Sequence, residues 1–189
     1  MTPEKDAVST VAGLMALAAR TAPKGKGVDS IIIKVLTKAE TKKLVAGMNA
    51  YGKAHEPYRF FLRDAANVEA GDACIIIGAT GRDAAGISCG ACGYTSCAEF
   101  LKAVQKAKAK KSDLPYPGPN CAIKMADLGI AVGSAAKTAQ IHNVDNRIMF
   151  SAGTIAISLG LMGKDCTVAY AIPLSATGKN IFFDRVWPK

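Results

Sequence analysis

No stretch of this chain is apolar for long enough to cross a membrane. The longest uncharged run of high apolarity, Ile148 to Gly163 between Arg147 and Lys164, has 16 residues, and a membrane helix needs roughly 20. It is expected to be a buried helix. No targeting segment stands out either. Met1 to Asp6 mixes Glu4, Lys5 and Asp6 instead of carrying one sign of charge. There is no internal repeat and no low-complexity linker. No G-x-G-x-x-G and no Walker loop is present, so the two common glycine signatures for nucleotide phosphates are missing. Gly78-Ala-Thr-Gly81 is too short to replace them. Histidine is scarce, with only His55 and His142. His142 lies in the polar stretch Ile141-His-Asn-Val-Asp-Asn-Arg147. It is a candidate proton donor or, more simply, part of a capping stretch in which Asp145 or Asn146 starts the next helix.

What is present is apolar and basic. Half of the 189 residues are hydrophobic, enough for a core without disulfide support in a single domain over residues 1–189. Lys and Arg outnumber Asp and Glu by 24 to 15, a net charge of +9. Such a surface attracts anionic partners. Nucleic acid is excluded as the expected partner, because Lys102, Lys106, Lys108, Lys110 and Lys111 have only Phe100 among them as a stacking platform. An acidic electron-carrier protein could dock there, or the lysines could form a solvated helix face.

Periodicity predicts the elements. Val8, Val11, Leu14, Met15 and Ala18 place a helix over residues 4–19, and Pro23 with two glycines makes a loop of residues 21–28. Ile31 to Leu36 reads as a strand, residues 39–54 and 60–68 as helices, and Ala73 to Ile77 as a strand buried on both faces. Ser96 and Glu99 have capping-box spacing, so a helix is expected from Cys97 to about Lys111, and Asn120 is expected to cap another starting at Cys121. Gly129, Gly133 and Ala136 line one face of that helix, and Gly153, Ala156 and Gly160 one face of the helix after Asn146. Small residues at such spacing suit a close helix pair, in the core or between subunits. Cys166 to Ile172 reads as a third strand, with a tail from Pro173 onward.

Cysteine carries the chemistry. Cys89, Cys92 and Cys97 follow a C-x2-C-x4-C spacing, and Cys121 comes after the bridge Pro115-Tyr-Pro117-Gly-Pro119-Asn. The expected compartment is the cytoplasm, where thiols stay reduced and a cysteine cluster means metal or redox chemistry. Structural zinc sites usually pair two short ligand units, and only one such unit is present. The spacing therefore favours an iron–sulfur cluster over zinc. Cys97 and Cys121 at helix N-termini would be favoured as thiolates. Cys74 and Cys166 sit in apolar strands and are read as core residues.

The segment Cys89-Gly-Ala-Cys92-Gly-Tyr-Thr-Ser-Cys97-Ala-Glu-Phe100 resembles the four-cysteine [4Fe–4S] domain of Rnf-type complexes and of corrinoid iron–sulfur proteins. That resemblance implies a [4Fe–4S] cluster on Cys89, Cys92, Cys97 and Cys121. It departs from the pattern after Cys121, where Ala122-Ile123 replaces a common glycine pair. Over its length the chain resembles a bacterial and archaeal family named for a ferredoxin domain (domain of unknown function 2148). The segments concerned are Ala18 to Lys24, Leu128 to Lys137, Asn143 to Arg147 and Ile172 to Asn180, besides the cysteines. Element order, with Ala22-Pro-Lys24 and Leu159-Gly-Leu-Met-Gly163, is similar to FMN-dependent nitroreductases. The likeness implies an α+β, nitroreductase-like fold with a small mixed sheet flanked by helices, and a homodimer; the four cysteines add a cluster-binding insertion over residues 80–121, and the small-residue faces a close helix pair. It also makes Arg20 and Lys24, with Lys26 beside them, candidates for the phosphate of FMN. The expected activity is one-electron transfer, with a flavin oxidoreductase as its extended form. The alternative is a structural or sensing module whose four-cysteine site holds zinc or a cluster.

Overall fold

The apolar run Ala73–Ala79 forms β2 and becomes the centre of the molecule. The computed structural model describes residues 2–108 and 115–184. β2 pairs with β1 (Ile31–Val35) on one side and with β4 (Val168–Ser175) on the other. The short β3 (Asp145–Asn146) completes the order β1-β2-β4-β3. Every pairing is antiparallel, so the sheet is not of mixed direction as expected.

Alternate side chains of β2 point to opposite faces of the sheet. Ile75, Ile77 and Ala79 face α1 (Pro3–Thr21) and α5 (Ala122–Ile141). Cys74 and Ile76 face α2 (Lys38–Ala54), α3 (Phe60–Ala70) and α6 (Phe150–Ser158). Two apolar cores therefore sandwich one sheet, and a strand buried on both faces has no polar positions to offer. α4 (Cys97–Lys108) ends where the described residues stop, so the expected end near Lys111 lies outside them. No helix among the described residues is long and apolar enough to cross a membrane.

Three expectations are corrected. Pro173 does not begin a tail but lies inside β4, opposite Cys74. Ala171 exchanges both backbone hydrogen bonds with Met149. Position 173, two residues on, turns its missing N–H to the same edge, where only Asp145–Asn146 and Met149 pair with β4. The ladder loses little there. Asp145 and Asn146 form β3 instead of starting a helix, and α6 begins later, at Phe150. The two helices with small-residue faces do not pack as a pair, because α5 lies over one face of the sheet and α6 over the other. Helix α5 packs beside α1, where Ser134 Oγ donates to the Ala18 carbonyl at 3.1 Å. The small face of α6 meets a strand: a Cβ on Gly153 would collide with the Ala169 carbonyl of β4.

Candidate iron–sulfur and flavin sites

The chain leaves the sheet at the end of β2 and rejoins the fold at Cys121, and both ends of this excursion are pinned together. The Cys121 N–H donates to the Gly81 carbonyl at 2.7 Å. The Gly81 N–H donates to Thr167 Oγ1 at 3.0 Å, and Thr167 donates to Asn120 Oδ1 at 2.6 Å. Gly81 is required here, because a Cβ would meet Met125 Cε at 2.7 Å and the Asn120 amide oxygen. Asn120 is thus an anchor, not the expected helix cap; Cys121 itself occupies the N-cap of α5. The proline-rich bridge is fixed by Tyr116, whose hydroxyl donates to the Ala169 carbonyl and whose ring meets Phe150 edge-on at 5.2 Å.

The cysteine loop turns through left-handed backbone at Gly86, Ser88, Gly90 and Gly93, with φ of 73°, 45°, 74° and 84°. Glycine takes this conformation freely, and Ser88 is the one residue of the four with a side chain. Ser88 is held there by a reciprocal clasp: its N–H donates to Cys97 Sγ, and the Cys97 N–H donates to Ser88 Oγ, each at 3.3 Å. Hydrogen bonding, chiefly from Ser88, holds the Cys97 thiol below its ordinary range. An N–H group aimed at a sulfur favours the thiolate form that a cluster ligand requires. Cys97 opens α4, where Ser96 Oγ accepts from the Glu99 N–H at 3.2 Å. The Glu99 carboxylate reaches back to Thr95, its N–H at 3.2 Å and hydroxyl at 2.7 Å, one residue short of the expected box.

Cys121 lies in a small apolar cluster with Phe100 and Val104, and Cys92, Tyr94 and Ile123 pack against that cluster. Cys121 is buried, Cys92 and Cys97 are half-buried, and Cys89 is exposed; all are unpaired. Among the described residues, no three His, Cys, Asp or Glu side chains stand close enough to grip one metal ion. A tetrahedral zinc with Zn–S bonds of about 2.3 Å would need its sulfurs about 3.8 Å apart. A cubane cluster places each thiolate on a separate iron and asks for a wider cage. Four thiolates are a donor set that either group accepts. Cys74 and Cys166 lie in the core as expected, and burial pushes their thiols up to about 12 and about 11.

The loop after α1 carries the candidate phosphate residues. Arg20 Nη1 donates to Asp29 Oδ2 at 2.5 Å and to the Ile31 carbonyl at 2.8 Å. Lys24 Nζ caps the end of α1, donating to the carbonyls of Ala19 at 3.3 Å, Ala22 at 2.7 Å and Arg20. Lys26 is exposed and left-handed, with φ 58°. Beneath this loop is a buried pair that the sequence reading missed. Lys124 Nζ and Asp127 Oδ2 are 3.9 Å apart and 2% and 4% exposed. Its only signal in the sequence was a pair of opposite charges three apart on a helix. His142 is at the exposed C-cap of α5, and His55 stacks on Tyr51 at 4.1 Å. Lys102 and Lys106 are exposed on α4, whereas Lys110 and Lys111 lie outside the described residues. A groove of about 670 Å³ runs between α1, β1 and α2, and no cysteine lines it.

Residues 86–113 match the family described as "Putative Fe-S cluster", a span that includes Cys89, Cys92 and Cys97 and stops short of Cys121. Residues 117–185 match "Uncharacterized protein containing a ferredoxin domain (DUF2148)". An "Uncharacterized protein" of Archaeoglobus fulgidus is 41% identical over 182 residues, 96% of this chain and 94% of its own length. In fold, the chain is similar to a BluB-like flavoprotein from Clostridium difficile (TM-score 0.60, 12% identity, 100% of this chain and 86% of that one). It is also similar to a nitroreductase with bound FMN from Desulfitobacterium hafniense (TM-score 0.58, 14% identity, 95% and 80%). Nitroreductase A from Vibrio parahaemolyticus matches all of this chain at TM-score 0.54 and 11% identity, but this chain spans only 63% of its length. The nitroreductase-like fold expected from element order is therefore found.

Proposed function

The chain belongs to the family of proteins containing a ferredoxin domain (DUF2148), and from that premise we propose that it is a one-electron redox protein with a [4Fe–4S] cluster. Cys89, Cys92, Cys97 and Cys121 hold the cluster, within an insertion over residues 80–121 of a single domain. The observation that carries this reading is the reciprocal clasp of Ser88 on Cys97, with Cys92 and Cys121 in one apolar cluster. A bound cluster supplies low-potential one-electron transfer. The chain's part is to fix the geometry: Gly81 and Asn120 close the loop, Ser88 clasps Cys97, and Phe100 shields Cys121 from water.

The fold supports FMN as a second cofactor, with the phosphate received near Arg20 and Lys24. Those side chains would exchange an internal partner for it, since both are engaged within the loop. The remaining proposals are a cytoplasmic homodimer and an acidic electron-carrier protein docking on the exposed Lys102 and Lys106 of α4. The alternative is a structural or sensing site that transfers no electron.

Anaerobic purification tests these readings. The expected protein is brown, with about four irons and four sulfides per chain, and dithionite bleaches it with a paramagnetic signal. Colourless protein with stoichiometric zinc overturns the redox reading. A cluster that dithionite never reduces leaves the sensing alternative. A yellow supernatant after acid precipitation identifies the flavin.

A further inference from the structure

The loop between α1 and β1 is fastened to the helix that begins at Cys121. The Gly25 N–H donates to Asp127 Oδ1 at 2.8 Å, and Lys124 Nζ donates to the Val28 carbonyl at 3.0 Å. The fit is close, because a Cβ on Gly25 would meet Ile123 Cγ2 at 2.7 Å. Ile123, Lys124 and Asp127 form the first turns of α5, immediately behind Cys121. The loop's place is therefore set by the same helix turn that sets this cysteine.

The tip of the loop reaches the cysteine loop from the other side. Lys26 Nζ lies 3.7 Å from the point where a Cβ would stand on Gly86. Gly86 lies two residues before Ser88, whose N–H donates to Cys97 Sγ at 3.3 Å, and both residues turn through left-handed backbone. Lys26 is in a left-handed turn with φ 58° and is followed by Gly27 at φ 68°, so the turn directs its Cβ toward this side of the loop. Lys26 makes no hydrogen bond or ion pair among the described residues, unlike Arg20 and Lys24 on the same loop. A cation without an ion pair among the described residues is thus placed against the turn that carries the Ser88 clasp on Cys97.

We propose that Lys26 is a positioning residue for the cluster, which holds a positive charge over the Gly86–Ser88 turn and raises the reduction potential. The proposal rests on the reading that the cysteines carry a cluster. The reduced cluster is one charge more negative than the oxidised one, so a nearby cation stabilises the reduced form more. The cation is exposed, so salt weakens the effect.

Three substitutions separate charge from shape. Lys26→Arg keeps the charge, while Lys26→Asn and Lys26→Asp remove and reverse it with residues that tolerate a left-handed backbone. The full chain is reconstituted anaerobically and titrated with dithionite, and the midpoint is read by electron paramagnetic resonance. The expected order is Arg equal to wild type, Asn lower and Asp lowest, with the spread narrowing in high salt. Iron content should be unchanged in the Arg and Asn variants. A common midpoint for all variants, or an order that ignores charge, overturns the role of Lys26 and leaves the cluster reading intact. A wild-type protein that takes up no iron and sulfide overturns both.

Discussion

Cys97 and Cys166 are the same residue type in opposite surroundings. Hydrogen bonding, chiefly from Ser88, holds the first thiol below the ordinary range, whereas burial pushes the second up to about 11. Cys97→Ser is expected to lose or destabilise the bound iron and sulfide, because a hydroxyl is a poor replacement for thiolate. Cys166→Ser is expected to keep a full complement. Iron and sulfide assays on anaerobic protein decide both. Six cysteines were visible in the sequence, and their spacing alone separated the candidate ligands from the core pair. Ser88 was not visible as a partner of Cys97, because a side chain clasping a backbone nine residues away depends on two left-handed turns. Lys24 illustrates the same limit. Its charge was legible, but its use as the cap of α1 follows from the path of the loop.

Elements were legible wherever one periodicity dominated. Helices α1 and α2 and strands β1 and β2 lie close to the expected spans, because their apolar positions repeat at the period of the element. β4 was cut short at Pro173 because proline breaks a fully paired strand, and this one faces a gap in its neighbour. Glycine in α6 marked a close approach correctly but not its partner. The neighbour is the Ala169 carbonyl of β4, a backbone atom that cannot swing aside. Gly153→Ala is therefore expected to destabilise the fold by about 3 kcal/mol, the upper end of the usual range for overpacking. Urea unfolding should show a lower midpoint at unchanged slope. On α5, a Cβ added to Gly129 or Gly133 would meet no neighbouring element within 4 Å.

For the whole molecule, that open face matters. Leu17 on α1 and Ile130 on α5 are 59% and 46% exposed, and Gly129 and Gly133 leave the surface between side chains low. Exposed apolar residues grouped with small ones suit an interface more than a solvated surface. A homodimer through α1 and α5 is expected to sediment at twice the chain mass. Ile130→Glu should shift it to the monomer while the helical circular dichroism stays constant. A wild-type protein that sediments as a monomer at every concentration overturns this interface.

The amino-acid sequence by itself determined the candidate cysteines, the apolar core strands and the helices with a clear period, because composition and spacing are local properties. Only the tertiary structure decided which helix lies on which face of the sheet. It also decided that Gly81 and Cys121 close the cysteine loop and that Lys26 reaches Gly86. These contacts join residues far apart in the chain, and their geometry is set by the packed sheet between them.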